Sequence, residues 1–174
     1  MPNELEKYLN DFGKDVVKQS RTRLSKAKKN DSKSLYNSLS YDLNVSKNSF
    51  SLSFNMEDYG TFIDKGVKGV SSSAKAPNSP YKFGTGTGKK GGLTNGIDKW
   101  VTRKRIQFKD RKSGKFMSYK STAFLIRNSI WNKGLETTNF FSRPFEIAFK
   151  KLPDTIIEKF SLDLDELLNF TTKK

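Results

Sequence analysis

Residues 41–54 run YDLNVSKNSFSLSF. Tyr41, Leu43 and Val45 alternate with polar residues, and Phe50, Leu52 and Phe54 do the same. That period-two pattern is the signature of two half-buried strands. A two-residue turn at Lys47 and Asn48 pairs Val45 with Phe50, Leu43 with Leu52 and Tyr41 with Phe54. All six apolar side chains then share one face of a hairpin. Asn48 suits the second turn position because Asn tolerates positive φ.

On the N-terminal side the period changes to that of a helix. Leu5, Tyr8, Leu9, Phe12, Val16, Val17, Leu24 and Ala27 recur at three- and four-residue steps, so residues 3–29 read as one amphipathic helix. Asn3 and Glu6 have capping-box spacing, and Gly13 weakens the helix locally. Asn30, Asp31 and Ser32 break it, and a short helical turn over 33–39 leads into the hairpin.

On the C-terminal side, residues 56–67 (MEDYGTFIDKGV) read as a short helix with Tyr59, Phe62 and Ile63 on its apolar edge and Gly66 at its end. Residues 69–92 are Ser, Gly, Lys and Pro with little else, a loop too long for an idle connection. A helix over 93–105 turns Ile97, Trp100 and Val101 inward. A second hairpin, basic at its tip, follows around Ser113 and Gly114. The helix over 119–133 carries Ala123, Phe124, Ile126, Ile130 and Trp131, and Gly134 closes it. A last helix starts near Ser142, with Pro144 in its first turn, and Pro153 splits it. Phe50, Phe54, Phe62, Phe124, Trp131 and Phe145 fall on the apolar faces of these elements and read as core. The acidic, apolar stretch 161–170 (SLDLDELLNF) is unlike the centre of the chain.

The fold class is therefore α+β: a long N-terminal helix, antiparallel hairpins forming a small sheet, packed helices, a long Gly/Ser/Lys-rich loop and a C-terminal helical arm. The domain reading is one unit over 1–150, with the loop 69–92 and the basic hairpin 103–118 inserted, and a helical extension over 151–174.

The 174 residues carry 33 Lys and Arg against 18 Asp and Glu, a formal net charge of +15. Between Lys65 and Lys133 stand 17 basic residues and only two acids, Asp98 and Asp110, so all the excess lies in one central block. Segregation of this kind is the footprint of a polyanion partner, set against a merely solvated basic face. Contact with nucleic acid would be to phosphates, independent of sequence and sensitive to salt. Lys89, Lys90, Arg103, Lys104, Arg105, Lys109, Arg111, Lys112 and Lys115 are the candidate contacts. No apolar run reaches the ~20 residues of a membrane span, and the first residues show no apolar signal-peptide core.

The chain contains no His and no Cys. That excludes a His-dependent triad, an imidazole base, a thiol nucleophile, a disulfide framework and Cys- or His-ligated metal. Gly86 to Gly91 spells GxGxxG, but no hydrophobic strand precedes it, so the dinucleotide mechanism lacks its context. A Walker A loop fails too, because Lys90 replaces the Ser or Thr that holds magnesium. Glu57, Asp58 and Asp64 are the only carboxylates near the basic block that a metal-dependent nuclease could use. The spacing of Asp58 and Asp64 puts them on different helix faces, with Asp64 read as a surface acid. No catalytic residue, metal or cofactor is assigned, and the chain reads as a non-enzyme.

Three stretches resemble a family. Tyr59-Gly60-Thr61-Phe62-Ile63-Asp64-Lys65-Gly66 is similar to the Tyr-Ala-x-x-Val-Glu-x-Gly segment of small tail-completion and head–tail joining proteins of tailed bacteriophages. Phe140-Phe141-Ser142-Arg143-Pro144-Phe145 resembles that family's Pro-Phe-x-x-Pro-Ala segment, which opens the last helix. Ala123 to Ile130, followed by Lys133-Gly134-Leu135, is similar to the linking segment of longer members. Gly60 replaces Ala, Asp64 replaces Glu and Phe145 replaces Ala, and the basic hairpin and the segment after Lys150 are additional. The resemblance implies a structural virion protein of the neck or tail. Its copies would close a ring, 12-fold or 6-fold, between portal or adaptor and tail proteins, with genomic DNA passing through. Assembly would take place in the host cytoplasm. It also implies that Tyr59, Phe62, Ile63 and Phe141 lie at core or subunit contacts, and that the loop and basic hairpin face the channel or the adjacent ring. The alternative is a sequence-independent nucleic-acid-binding protein.

Overall fold

The structure, a computed structural model, describes residues 4–28, 31–45, 50–86 and 92–159. Outside these lie the Asn3 cap, the turn at Lys47 and Asn48, Lys89, Lys90 and most of the GxGxxG stretch, and the acidic segment 161–170. The fold is mixed α+β and divides into two compact units. Unit one comprises Met1–Asp64 and Thr138–Lys174; unit two is the continuous stretch Lys65–Thr137. The compact insertion thus extends well beyond the loop and hairpin read as inserted from the sequence.

Unit one is built on helix α1 (Glu4–Lys26), followed by α2 (Ser34–Ser38) and the antiparallel strands β1 (Ser40–Val45) and β2 (Phe50–Asn55). The strands pair Tyr41 with Phe54, Leu43 with Leu52 and Val45 with Phe50, the register expected from the sequence. Burial alternates along both strands. A slip of one residue would turn every apolar side chain to the solvent face, which is why the pattern fixes the register.

The apolar stripe of α1, including Phe12, Val16 and Leu24, enters a core shared with Leu35, Leu39, Phe140 and Phe141. Four rings interlock there. Phe54 meets Phe12, Phe141 and Phe145 edge-on at centroid distances of 6.1, 5.4 and 5.7 Å. Edge-to-face contacts suit the ring quadrupoles and add about 0.5–1.5 kcal/mol per pair to burial. Tyr8, expected on the buried face of α1, is instead exposed.

Gly13, which costs helix propensity, has a packing reason. A Cβ there would stand 2.5 Å from Cδ2 of Tyr41, so the missing side chain lets β1 lie against α1. Tyr41 then donates its hydroxyl to Asn10 Oδ1 at 3.1 Å. Arg21 ties α2 to α1 by donating to the carbonyls of Tyr36 and Leu39, at 3.1 and 2.7 Å, while its guanidinium lies over the Tyr36 ring.

Helix α3 (Gly60–Lys65) is shorter than the 56–67 read from the sequence. The Glu57 amide donates to Ser38 Oγ at 3.0 Å, so the chain enters through a turn rather than a helical residue. Asp64, read as a surface acid, is fully buried. Its carboxylate caps the N-terminus of α6 (Ser142–Phe149): Oδ1 accepts from the amides of Phe141 at 2.7 Å and Ser142 at 3.1 Å, and Oδ2 accepts from the Ser142 hydroxyl. Ser142 is therefore a donor in the first turn, and Asp64 supplies the cap from 77 residues away. In return the Asp64 carbonyl accepts from the amides of Thr138 and Asn139, and the Thr138 hydroxyl donates to the Ile63 carbonyl. The orphan groups at both helix ends are satisfied by each other's segment. After Pro153, α7 (Asp154–Lys159) begins, so the last helix is split at that residue.

Unit two packs α4 (Gly92–Lys104) on α5 (Tyr119–Lys133), with Val101, Thr122 and Ala123 buried. The stretch 69–86, read as part of one long loop, is pinned to the C-terminal end of α5, together with Val67, read as the end of the short helix. Val67 and Leu135 exchange backbone hydrogen bonds, and Val70 and Ser71 donate to the carbonyls of Trp131 and Asn132. The last carbonyls of α5 are thus satisfied by a distant segment. Two backbones pass so closely that a Cβ on Gly69 would meet the Asn132 oxygen, and one on Gly134 the Val67 oxygen. The Ser79 hydroxyl donates to the Gly66 carbonyl at 2.7 Å and Ala76 is buried, which completes the small core of this segment.

Candidate nucleic-acid interface

Unit two contains all 17 basic residues of the central block against Asp98, Asp110 and Glu136, while unit one is nearly balanced. The boundary of the fold and the boundary of the charge coincide. Arg103 and Lys104 belong to the last turn of α4 rather than to the hairpin, where they complement the helix dipole. Arg105 follows in the left-handed region at φ 54°, ending the helix. Arg103, Lys104, Arg105, Lys109, Arg111, Lys112 and Lys115 are all exposed.

The second hairpin narrows to a single antiparallel bridge, Lys109 to Phe116, among the described residues. It is held at its base and at its tip. At the base Met117 donates to the Phe108 carbonyl at 2.8 Å, and the Phe108 amide donates to the hydroxyl of Thr122 on α5 at 3.2 Å. At the tip Asp110 accepts from the Ser113 amide at 2.7 Å, the Ser113 hydroxyl at 2.9 Å and the Lys112 amide at 3.1 Å. Those bonds, led by Ser113, hold the Asp110 carboxyl below its ordinary value. The one acid of the tip is thereby kept ionised and committed to the turn, while Arg111, Lys112 and Lys115 project from it.

The aromatic residues depart from the sequence reading. Phe54 and Phe145 are core, but Phe62, Phe124 and Trp131 are exposed. Phe141 is buried in unit one, so it is a core residue and not an available subunit contact; Ile63 packs against the same core. Tyr59 and Phe62 are exposed at 42% and 41%. Phe108 and Phe116, which the sequence reading passed over, are exposed on either side of the cationic turn. Their symmetric flanking of a Lys- and Arg-rich turn was the available signal.

The carboxylates do not assemble. Among the described residues no group of three or more His, Cys, Asp or Glu could hold a metal ion. Asp64 is spent on helix capping, and Glu57 accepts from the Ser34 hydroxyl at 2.8 Å. No described helix is long and apolar enough to cross a membrane. Comparison with known proteins finds no matching family model, no matching curated protein and no matching solved structure.

Proposed function

We propose that this chain is a structural protein of a tailed-bacteriophage neck or tail connector, forming a closed homo-oligomeric ring whose cationic unit two contacts DNA through phosphates. The carrying observation is the confinement of the excess charge to one compact unit with its Arg and Lys exposed. The similarity of residues 59–66 and 140–145 to the family segments supplies the assembly. Asp64 stands at the Glu position of that segment, where it joins the short helix to the last one. Exposed Tyr59 and Phe62 flank this junction in sequence and are apolar surface for a neighbouring copy. A ring of this kind uses heterologous interfaces that close by rotation. Its cationic face would hold a duplex without reading it.

Native mass spectrometry and electron micrographs of the concentrated chain, alone and with portal assemblies, test the ring. Closed rings are expected, and a chain that stays monomeric in both settings overturns the reading. Duplex binding should weaken linearly in log salt, with a slope falling by about 0.9 for each phosphate contact removed. Neutralising Arg105, Arg111 and Lys112 should lower that slope and leave the circular dichroism spectrum unchanged.

A further inference from the structure

Charge alone does not call for exposed aromatic rings, yet unit two pairs them with cations. Phe116 is 66% exposed and Phe124 is 56% exposed. Lys109 Nζ lies 5.2 Å from the Phe116 ring centroid, and the Arg127 guanidinium lies 5.5 Å from that of Phe124. Beside Phe124 an open depression of about 420 Å³ is lined by Met117, Lys120, Ser121 and Leu125. It is apolar, with a cation and a hydroxyl at its edge.

We infer that unit two binds single-stranded nucleic acid in preference to duplex: the Lys109–Phe116 and Arg127–Phe124 couples stack unpaired bases while neighbouring Arg and Lys hold the phosphates. The inference rests on the polyanion partner proposed above, not on the ring through which duplex would pass, and adds the strandedness that this surface prefers.

Phosphates are common to both forms of nucleic acid, so they cannot discriminate. Bases can. In a duplex their π-faces are covered by neighbouring base pairs, whereas an unpaired base offers its face to a ring. Phe has no hydrogen-bonding group, so the stacking is indifferent to base identity. One couple stands on the hairpin and the other on α5, and a flexible single strand can swivel a base onto each. The same rings could serve a second copy of the chain. Each is flanked by cations, however, and self-association would bring two strongly basic surfaces together, while a polyanion meets both needs at once.

Fluorescence anisotropy on the full chain tests this with labelled oligo-dT and a duplex of equal length, about 20 nucleotides, which exceeds one binding site. The single strand is expected to bind at least about fivefold tighter than the duplex at equal salt. Phe116→Ala and Phe124→Ala should each lower single-strand affinity by about fivefold or more and leave duplex affinity unchanged. Both rings are exposed, so circular dichroism should show the fold retained. As a second readout, the emission that Phe116→Trp adds to that of Trp100 and Trp131 should be quenched by oligo-dT and not by duplex. Equal affinity for both forms, or Ala variants that bind normally but lose self-association, overturns the inference and leaves the charge reading standing. Failure of both forms to bind at about 50 mM salt removes the polyanion reading as well.

Discussion

Asp64 shows how one buried group can hold two chain segments together. A buried carboxylate is costly unless hydrogen bonds satisfy it, and here the amides of Phe141 and Ser142 and the Ser142 hydroxyl do so. Asp64→Ala leaves those donors buried and unmatched, with an expected loss of about 3 kcal/mol or more, whereas Asp64→Asn keeps one acceptor oxygen and should lose less. Urea denaturation checks this: the midpoint should fall with the slope unchanged. Asp110 makes a milder case at the surface. Its carboxyl is lowered, chiefly by the Ser113 amide, so the turn is fully supported above the ordinary carboxyl value of about 4. That support is lost as pH falls through the lowered value. The Lys112 and Ser113 amide resonances should report a midpoint below about 3.9; one at or above it would mean the turn does not hold the charge. Neither role was legible in the sequence. A cap 77 residues distant has no local signature, and Asp64 reads as an ordinary surface acid until the fold brings α6 to it.

At the scale of elements, legibility followed periodicity. The register of β1 and β2 was readable because each strand alternates cleanly, and the end of α5 was readable because Gly134 closes it; its cap, Ser118, was not singled out. The burial of α5 was not. Phe124, Leu125, Ile126, Ile130 and Trp131 spread around the helix, so no stripe marks which rings go inside. The anchoring of 69–86, read only as loop, was not legible because it rests on isolated bridges and helix-end carbonyls, which leave no repeating pattern. Two glycines at helical positions separate propensity from packing. Gly13 of α1 lies against the Tyr41 ring, whereas a Cβ on Gly96 of α4 would meet nothing within 4 Å. Gly96→Ala should therefore stabilise unit two by about 0.5–1 kcal/mol through helix propensity. Gly13→Ala should destabilise unit one by about 1–2 kcal/mol, because overpacking against a ring exceeds the same propensity gain. Thermal melts of both variants decide the matter. A stabilised Gly13→Ala would show that Tyr41 moves aside at little cost.

For the whole molecule, the decisive relation is between where the chain folds and where it is charged. Unit two begins after Asp64 and ends before Thr138, and the Asp64 carbonyl accepts from the Thr138 amide at 3.1 Å. The two ends of unit one that flank the insertion are therefore adjacent within unit one itself. Among the described residues its core is drawn from α1, α2, β2, α3, α6 and α7 and the segments that join them. Replacing Lys65–Thr137 by two or three glycines should leave unit one folded, since closing so short a loop costs little entropy. The remaining chain would be nearly neutral, with 16 basic and 15 acidic residues. Near-ultraviolet circular dichroism should retain the signal of the packed aromatic core, and a cooperative melt should persist. Duplex and single-strand binding should both vanish at moderate salt, because the phosphate-contacting charge has gone with the insertion. If Tyr59 and Phe62 form the subunit contact, the excised protein should still self-associate. A deleted chain that folds but stays monomeric would locate the assembly surface in unit two instead, and one that keeps its DNA affinity would show that the charged insertion is not where nucleic acid binds.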